Sequence, residues 1–245
     1  MEDSIQVAVK YLRQTKHRVV ALTGAGISAE SGIPTFRGKE GYWRGRSPMQ
    51  LASLEGFCEN PQLVWEWYLD RRKKLEGCQP NAGHFALAAL EKLLPGFALV
   101  TQNVDGLHHN AGSKQLVELH GNIRRTHCLG CAYLEDPGRQ EKAGNFRCPH
   151  CGDYLRPSVV WFGESLPERA WDQAFSWAQE ADVFLVIGTS AVVYPAASLI
   201  PLAKETGAKI IEINVEETAA SDVADVSLLG TSSVMIPRLV MALEE

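Results

Sequence analysis

Short apolar runs alternate with longer amphipathic stretches along most of the chain. Ile5, Val7, Ala8, Tyr11 and Leu12 fall at helical spacing within residues 3–15 and lead into Val19–Leu22, which reads as a buried strand. The strand pattern returns at Phe97–Thr101, Leu116–Leu119, Ser158–Phe162, Val183–Ile187 and Lys209–Val215. Residues 48–77, 81–94, 170–180 and 195–206 and the stretch from Val234 read as helices, with Pro48 and Pro61 at first-turn positions that need no N–H. Strands buried on both faces and separated by helices predict an α/β fold, a mostly parallel sheet with helices on both faces.

The rhythm fails between Arg124 and Arg156, where aliphatic residues are few and four of the six cysteines gather. Cys128-x-x-Cys131 and Cys148-x-x-Cys151 are two knuckles with sixteen residues between them, and Gly130 and Gly152 ease their turns. Four thiolates close a tetrahedral shell around one structural Zn2+ and leave no position for a substrate. The surrounding segment has too little apolar material to fold without the metal. His127 and His150 flank the knuckles, but four sulfurs already complete the shell. Cys58 and Cys78 stand apart and read as incidental thiols.

At 245 residues, with 45% hydrophobic and 22% charged residues, the chain can bury one large domain or a domain carrying an insertion. A formal net charge of −5 gives no support to nucleic-acid binding. The charged N-terminal stretch lacks the apolar core of a signal peptide, and no run reaches the length of a membrane span. The expected setting is cytoplasmic, with no membrane partner and with thiols kept reduced, which disfavours two disulfides.

Chemistry concentrates where the apolar runs stop. Val19–Leu22 breaks at Thr23 into Gly24-Ala25-Gly26. A helix starting near Ile27 or Ser28 would aim its free N–H groups and positive end at the same place, as a diphosphate cradle does. Pro34, Phe36 and Arg37 add a ring and a cation beside it. Residues 38–47, rich in Gly and Arg and carrying Tyr42 and Trp43, read either as a lid or as an ordinary surface loop. Gln102, Asn103, Val104 and Asp105 follow the second strand, at the end where open α/β sheets bind ligands.

GAGISAESGIPTFR, TQNVD, Leu119-His120-Gly121, the paired cysteine knuckles and GTSAVVYP stand in sirtuin order and spacing, so from about residue 18 to 216 the chain resembles a sirtuin, an NAD-dependent protein lysine deacylase. The resemblance implies a Rossmann-like NAD-binding domain from 1–38, 95–123 and 157–245, a helical insertion with the acyl pocket at 39–94, and a zinc module at 124–156. It places Gly24, Ala25, Gly26, Ile27, Ala29, Glu30, Thr35, Phe36, Arg37 and Trp43 along NAD. Gln102, Asn103, Val104 and Asp105 would hold the nicotinamide ribose and carboxamide. Gly188, Thr189, Ser190, Asn214, Val215 and Glu216 would frame the adenosine half, with Ser232 as a C-terminal contact. Val160, Phe162, Gly163, Glu164 and Val193 would take an acyl-lysine peptide as an added strand.

In the implied reaction the acyl oxygen attacks C1′ of the nicotinamide ribose and nicotinamide departs. His120 is then the general base for the ribose hydroxyls, Asn103 assists, and the products are lysine, nicotinamide and O-acyl-ADP-ribose. His108 and His109 receive no role.

One branch of the family prefers malonyl, succinyl and glutaryl groups, and Tyr68, Arg71 and Ala52 match its pattern. Tyr68 and Arg71 are three apart and share a helix face, where a phenol and a planar guanidinium can meet one carboxylate. The resemblance thus implies removal of succinyl and malonyl, and more weakly acetyl, groups. The alternatives are a plain deacetylase, with Arg71 merely opening a solvated basic run, and a protein ADP-ribosyltransferase. A Rossmann dehydrogenase lacks its strand-end acid about 20 residues past the glycine loop, and a non-catalytic NAD-binding module leaves Asn103 and His120 unexplained.

Overall fold

The structure is a computed structural model that describes residues 2–35, 47–94, 96–136 and 146–245. Phe36, Arg37 and Trp43, with most of the Gly/Arg-rich stretch expected to form a lid or surface loop, lie outside the described residues.

Nine strands are described: β1 (Val19–Thr23), β2 (Ala98–Thr101), β3 (Leu116–Glu118), β4 (Gly121–Cys128), β5 (Leu134–Glu135), β6 (Leu155–Val159), β7 (Val183–Ile187), β8 (Lys209–Asn214) and β9 (Val226–Leu229). The helices described are α1 (Glu2–Arg13), α2 (Pro48–Leu51), α3 (Leu54–Glu59), α4 (Pro61–Glu76), α5 (Ala82–Leu93), α6 (Leu107–Asn110), α7 (Glu168–Gln179), α8 (Leu199–Glu205) and α9 (Ser232–Glu244), with short 3-10 turns at Ala25–Ser31 and Ala196–Ser198.

Six strands form one parallel sheet in the order β3-β2-β1-β7-β8-β9. Every residue of β1 and β7 is buried, as expected of strands covered on both faces. Helices α1, α5 and α9 cover one face through Val9, Leu12, Leu87 and Ile236, and α7 and α8 cover the other through Ala174 and Leu199. The strand order reverses between β1 and β7, which are paired through Thr23 and Ile187. A crevice forms beyond the carboxyl ends of strands at such a reversal.

The second sheet is antiparallel, in the order β5-β4-β6. Here the structure corrects the expectation of a parallel strand over Ser158–Phe162. The strand is β6, shifted toward the N-terminus, and it pairs with β4; beyond it Phe162 makes only a single parallel bridge to Ser53. The helical stretch expected over residues 48–77 starts helices at Pro48 and Pro61 as read, with a third, α3, between them. Ser53 caps α3 by accepting from the Gly56 N–H at 3.0 Å, and Asn60 caps α4 by accepting from the Leu63 N–H at 3.0 Å.

The small sheet and α4 share one core. Trp65 stacks on Phe146 at 4.9 Å, and its indole N–H donates to the Leu155 carbonyl at 2.8 Å. Arg72 reaches from α4 to the carbonyls of Ile123 and Arg125 at 2.7 and 2.8 Å.

Candidate active site

The glycine loop differs from its expected form. The turn after β1 is a 3-10 helix, and two of its N–H groups are taken up within the protein: Gly24 donates to the Ile187 carbonyl at 3.0 Å and Gly26 to the Gly188 carbonyl at 2.8 Å. A Cβ on Gly26 would lie 2.7 Å from Gly188 O, and one on Gly188, at φ +55°, would lie 2.5 Å from the Ile27 nitrogen. These glycines let the loops after β1 and β7 pack backbone on backbone. Ile27 faces the core, whereas Ala29 and Glu30 are exposed and Thr35 is half-buried. Glu30 accepts from the Ser233 N–H at 3.3 Å at the start of α9, beside the buried Ser232, and the Ser233 hydroxyl above all, with Thr231 and that N–H, holds its carboxyl below the usual range.

The polar residues after β2 converge on this turn. Asn103 is buried and donates its amide hydrogens to the Gly24 carbonyl at 3.0 Å and to Ser28 Oγ at 3.1 Å. Ser28 donates to Asp105 Oδ2 at 2.8 Å, and Asp105 Oδ1 accepts from the Leu107 N–H at 2.9 Å. Burial pushes the Asp105 carboxyl up, while these bonds and the nearby Arg124 and Arg71 oppose the rise.

His84 lies beneath this group, fully buried. Its Nδ1 accepts from the Asn81 N–H at 3.3 Å, so Nε2 carries the hydrogen that points to Ser28 Oγ at 3.4 Å. Burial drops its pKa to about 4. His108, with its ring 4.8 Å from that of His84, bonds Thr23 Oγ1 at 2.9 Å. Sequence reasoning gave Ser28, His84 and His108 no site role. The available signal was His84 one helical turn before Leu87, a polar group on a stripe that must be buried.

His120 lies across the crevice. Its Nδ1 donates to the Gln102 carbonyl at 2.9 Å, which leaves Nε2 as the acceptor. Burial lowers its pKa below the ordinary imidazole value, against the opposing pull of that carbonyl, so the ring is neutral and basic at neutral pH. Gln102 donates to Thr189 Oγ1 at 3.0 Å, and Asn214 donates to the Thr189 carbonyl at 3.0 Å. Ser190 is half-buried, while Val215 and Glu216 are exposed at the mouth.

Arg71 is 6% exposed although Lys73 and Lys74 after it are exposed, so it does not open a solvated run. Its guanidinium lies 4.6 Å from the Trp67 ring centre and 5.6 Å from that of Tyr68. Arg71 also lines a cavity of about 20 Å³ with Ala25, Ser28, Asn103, Val104 and Asp105, so groups expected at separate subsites meet in one place. Tyr68 and Ala52 are buried in the same apolar cluster as Trp161. Val160 and Glu164 are half-buried, whereas Phe162, Gly163 and Val193 are exposed. The Glu164 carboxylate is engaged inside the protein: it accepts from Arg156 at 3.0 Å and from the Trp161 backbone N–H at 2.8 Å.

The four knuckle thiols lie within 4.8 Å of one another. Cys128 and Cys151 are 3.4 Å apart and Cys131 and Cys148 3.6 Å, close to the roughly 3.8 Å edge of a tetrahedron with 2.3 Å zinc–sulfur bonds. Gly130 and His150 donate backbone N–H groups to Cys128 and Cys148, as metal-bearing knuckles require. The donor set fits one structural zinc. His127 turns to Ser158 and His150 packs on Tyr133, so neither joins the shell. Gly152 has φ +78°, whereas a Cβ on Gly130 would meet the Asp153 side chain.

Residues 24–195 match the model of the Sir2 family. The chain belongs to that family. It is 52% identical over 227 residues to the NAD-dependent protein deacylase of Pyrococcus furiosus, across 90% of this chain and 91% of the relative. A Sir2 homologue solved as its NAD complex superposes with a TM-score of 0.92 at 45% identity, covering 98% of this chain and 93% of that one. A Sir2 protein bound to a myristoylated histone peptide superposes with a TM-score of 0.80 at 38% identity, covering all of this chain and 98% of that one.

Proposed function

We propose that this Sir2-family protein is an NAD-dependent protein-lysine deacylase that removes succinyl and malonyl groups in preference to acetyl. The observation that carries the acyl preference is the buried Arg71 guanidinium beside the Tyr68 phenol. A buried guanidinium beside a phenol offers several donors to a carboxylate, and a neutral acetyl group cannot return the same charge-assisted bonds.

The polar groups around the crevice suit the dinucleotide. Asn103, Asp105 and Ser28 offer donors and acceptors to a carboxamide, and Thr189, Ser190 and Asn214 offer them to the adenosine half. NAD, when bound, would supply the activated glycosidic carbon and the ribose hydroxyls that receive the acyl group. Asn103 holds its face of the crevice through Gly24 and Ser28. His120 accepts a ribose hydroxyl proton at Nε2, its tautomer set by Gln102. The exposed segments around Phe162 and Val193 present edges to an extended peptide, the ligand type solved with the histone-peptide relative.

Turnover of matched acetyl-, malonyl- and succinyl-lysine peptides with NAD tests the proposal. Arg71→Met should lower the succinyl-to-acetyl ratio of kcat/KM by roughly a hundredfold. Equal losses on both peptides would remove the carboxylate clamp and leave a plain deacetylase.

A further inference from the structure

Trp161 stands behind the acyl pocket and is 2% exposed. Its indole N–H donates to the Tyr68 phenol oxygen at 2.9 Å. The ring is fixed from several sides. The Arg156 guanidinium carbon lies 3.3 Å from its centre, Phe57 packs at 5.2 Å between ring centres, and Glu164 ties Arg156 to the Trp161 backbone N–H.

An indole nitrogen only donates, whereas a phenol both donates and accepts. With the Trp161 hydrogen on one side of the phenol oxygen, the phenol's own hydrogen takes the other. Burial keeps Tyr68 un-ionised, against the opposing influence of Arg71, so that hydrogen stays in place. Tyr68 therefore meets a ligand as a donor, and the guanidinium of Arg71 is donor only.

We propose that Trp161 is a positioning residue that sets the acyl preference from behind Tyr68, its N–H fixing the phenol as a donor so that Tyr68 and Arg71 together present only donors to the acyl terminus. This inference rests on the carboxylate-clamp reading of Tyr68 and Arg71. It adds a determinant that touches no substrate and lies outside the Tyr68, Arg71 and Ala52 pattern. A phenol released from Trp161 could turn its hydrogen away and lose part of its discrimination against a neutral acyl group.

The experiment uses the zinc-loaded full chain, saturating NAD and matched succinyl- and acetyl-lysine peptides. Trp161 is replaced by benzothienylalanine, which keeps the shape of the indole but has sulfur in place of the N–H, and in parallel by Phe (Trp161→Phe). Both are repeated in the Tyr68→Phe background. The isostere should lower the succinyl-to-acetyl ratio of kcat/KM about fivefold, mainly through KM for the succinyl peptide. With Tyr68→Phe already present, the same replacement should change the ratio less than about twofold, because the two residues act as one unit.

A ratio unchanged by the isostere, an equal loss on both peptides, or a fall that persists in the Tyr68→Phe background would overturn the role of Trp161. If the unmodified protein itself shows no preference for succinyl, the clamp reading fails and this inference with it. That outcome is distinct from a preference that Trp161 does not influence.

Discussion

Along β1 and β7 every residue is buried, and helices cover both faces of the sheet they centre. β4 mixes buried and half-buried positions, its partner β5 has two residues, and the far end of that small sheet is gathered by four thiols. The large sheet is organised by apolar burial before any ligand arrives, and its reactive side chains begin where its strands stop. The small sheet borrows part of its core from α4, through Trp65 on Phe146, and its knuckle end is drawn together by the four thiols. Losing a ligand should therefore leave the first standing, while losing its metal should undo the second.

Zinc removal gives the largest expected effect. A structural zinc of this kind contributes about 10–16 kcal/mol to the region that holds it, as much as the net stability of a whole domain. Chelation should abolish peptide turnover and open the segment around the knuckles to protease, with cleavage mapped by mass spectrometry. Amide protection along β1 and β7 should persist. Loss of protection in both sheets together would show that the two regions are not independent in the way their cores suggest.

The glycines sharpen the same contrast at a smaller scale. Ala at Gly188 forces a side chain onto φ +55° and 2.5 Å from the Ile27 backbone nitrogen, where neither strand end can yield. Gly188→Ala should cost about 3–5 kcal/mol of stability, combining backbone strain with overpacking. Gly130→Ala meets only the Asp153 side chain, which can rotate, and should cost less than about 1 kcal/mol. Urea unfolding of the two zinc-loaded variants measures both, and comparable losses would contradict the distinction between a rigid backbone contact and a yielding one.

The contrast also explains what could be read from the residues alone. β1, β2, β7 and β8 are near-continuous apolar runs, the signature of strands buried on both faces, and the cysteine spacing carries its own geometry. β4, with sequence GNIRRTHC, has little apolar periodicity, and β9 is a four-residue edge strand, so neither announced itself. The packing role of Gly24 and Gly26 was not legible, because the close approach of Gly188, more than 160 residues away in the chain, leaves no local mark. The same holds for Ser28, His84 and Asp105, whose connection exists only once β1, β2 and α5 are packed. His120 and Asn103 were legible as residues, but the carbonyls and hydroxyl that orient them were not.

The last expected stability effect comes from that buried network beneath the turns that follow β1 and β2. His84 has its pKa lowered from 6.5 to about 4 by burial, and His108 shifts the same way. The unfolded chain therefore binds a proton near pH 6.5 that the folded chain refuses until about pH 4. Stability from this source is fully present above pH 6.5, falls as the pH drops through that window, and levels off below about pH 4. At 1.36 kcal/mol per pH unit, His84 alone accounts for about 3 kcal/mol. Acid also protonates the knuckle thiolates, so the slope of the unmodified protein mixes two causes. The difference between it and His84→Asn, followed by urea unfolding from pH 7.5 to 4.5 with zinc present, cancels the shared metal contribution. The variant should lose less stability with falling pH, and parallel slopes would mean that the imidazole titrates alike in the folded and unfolded chains, which would leave the link from Asn81 through His84 to Ser28 wrongly drawn.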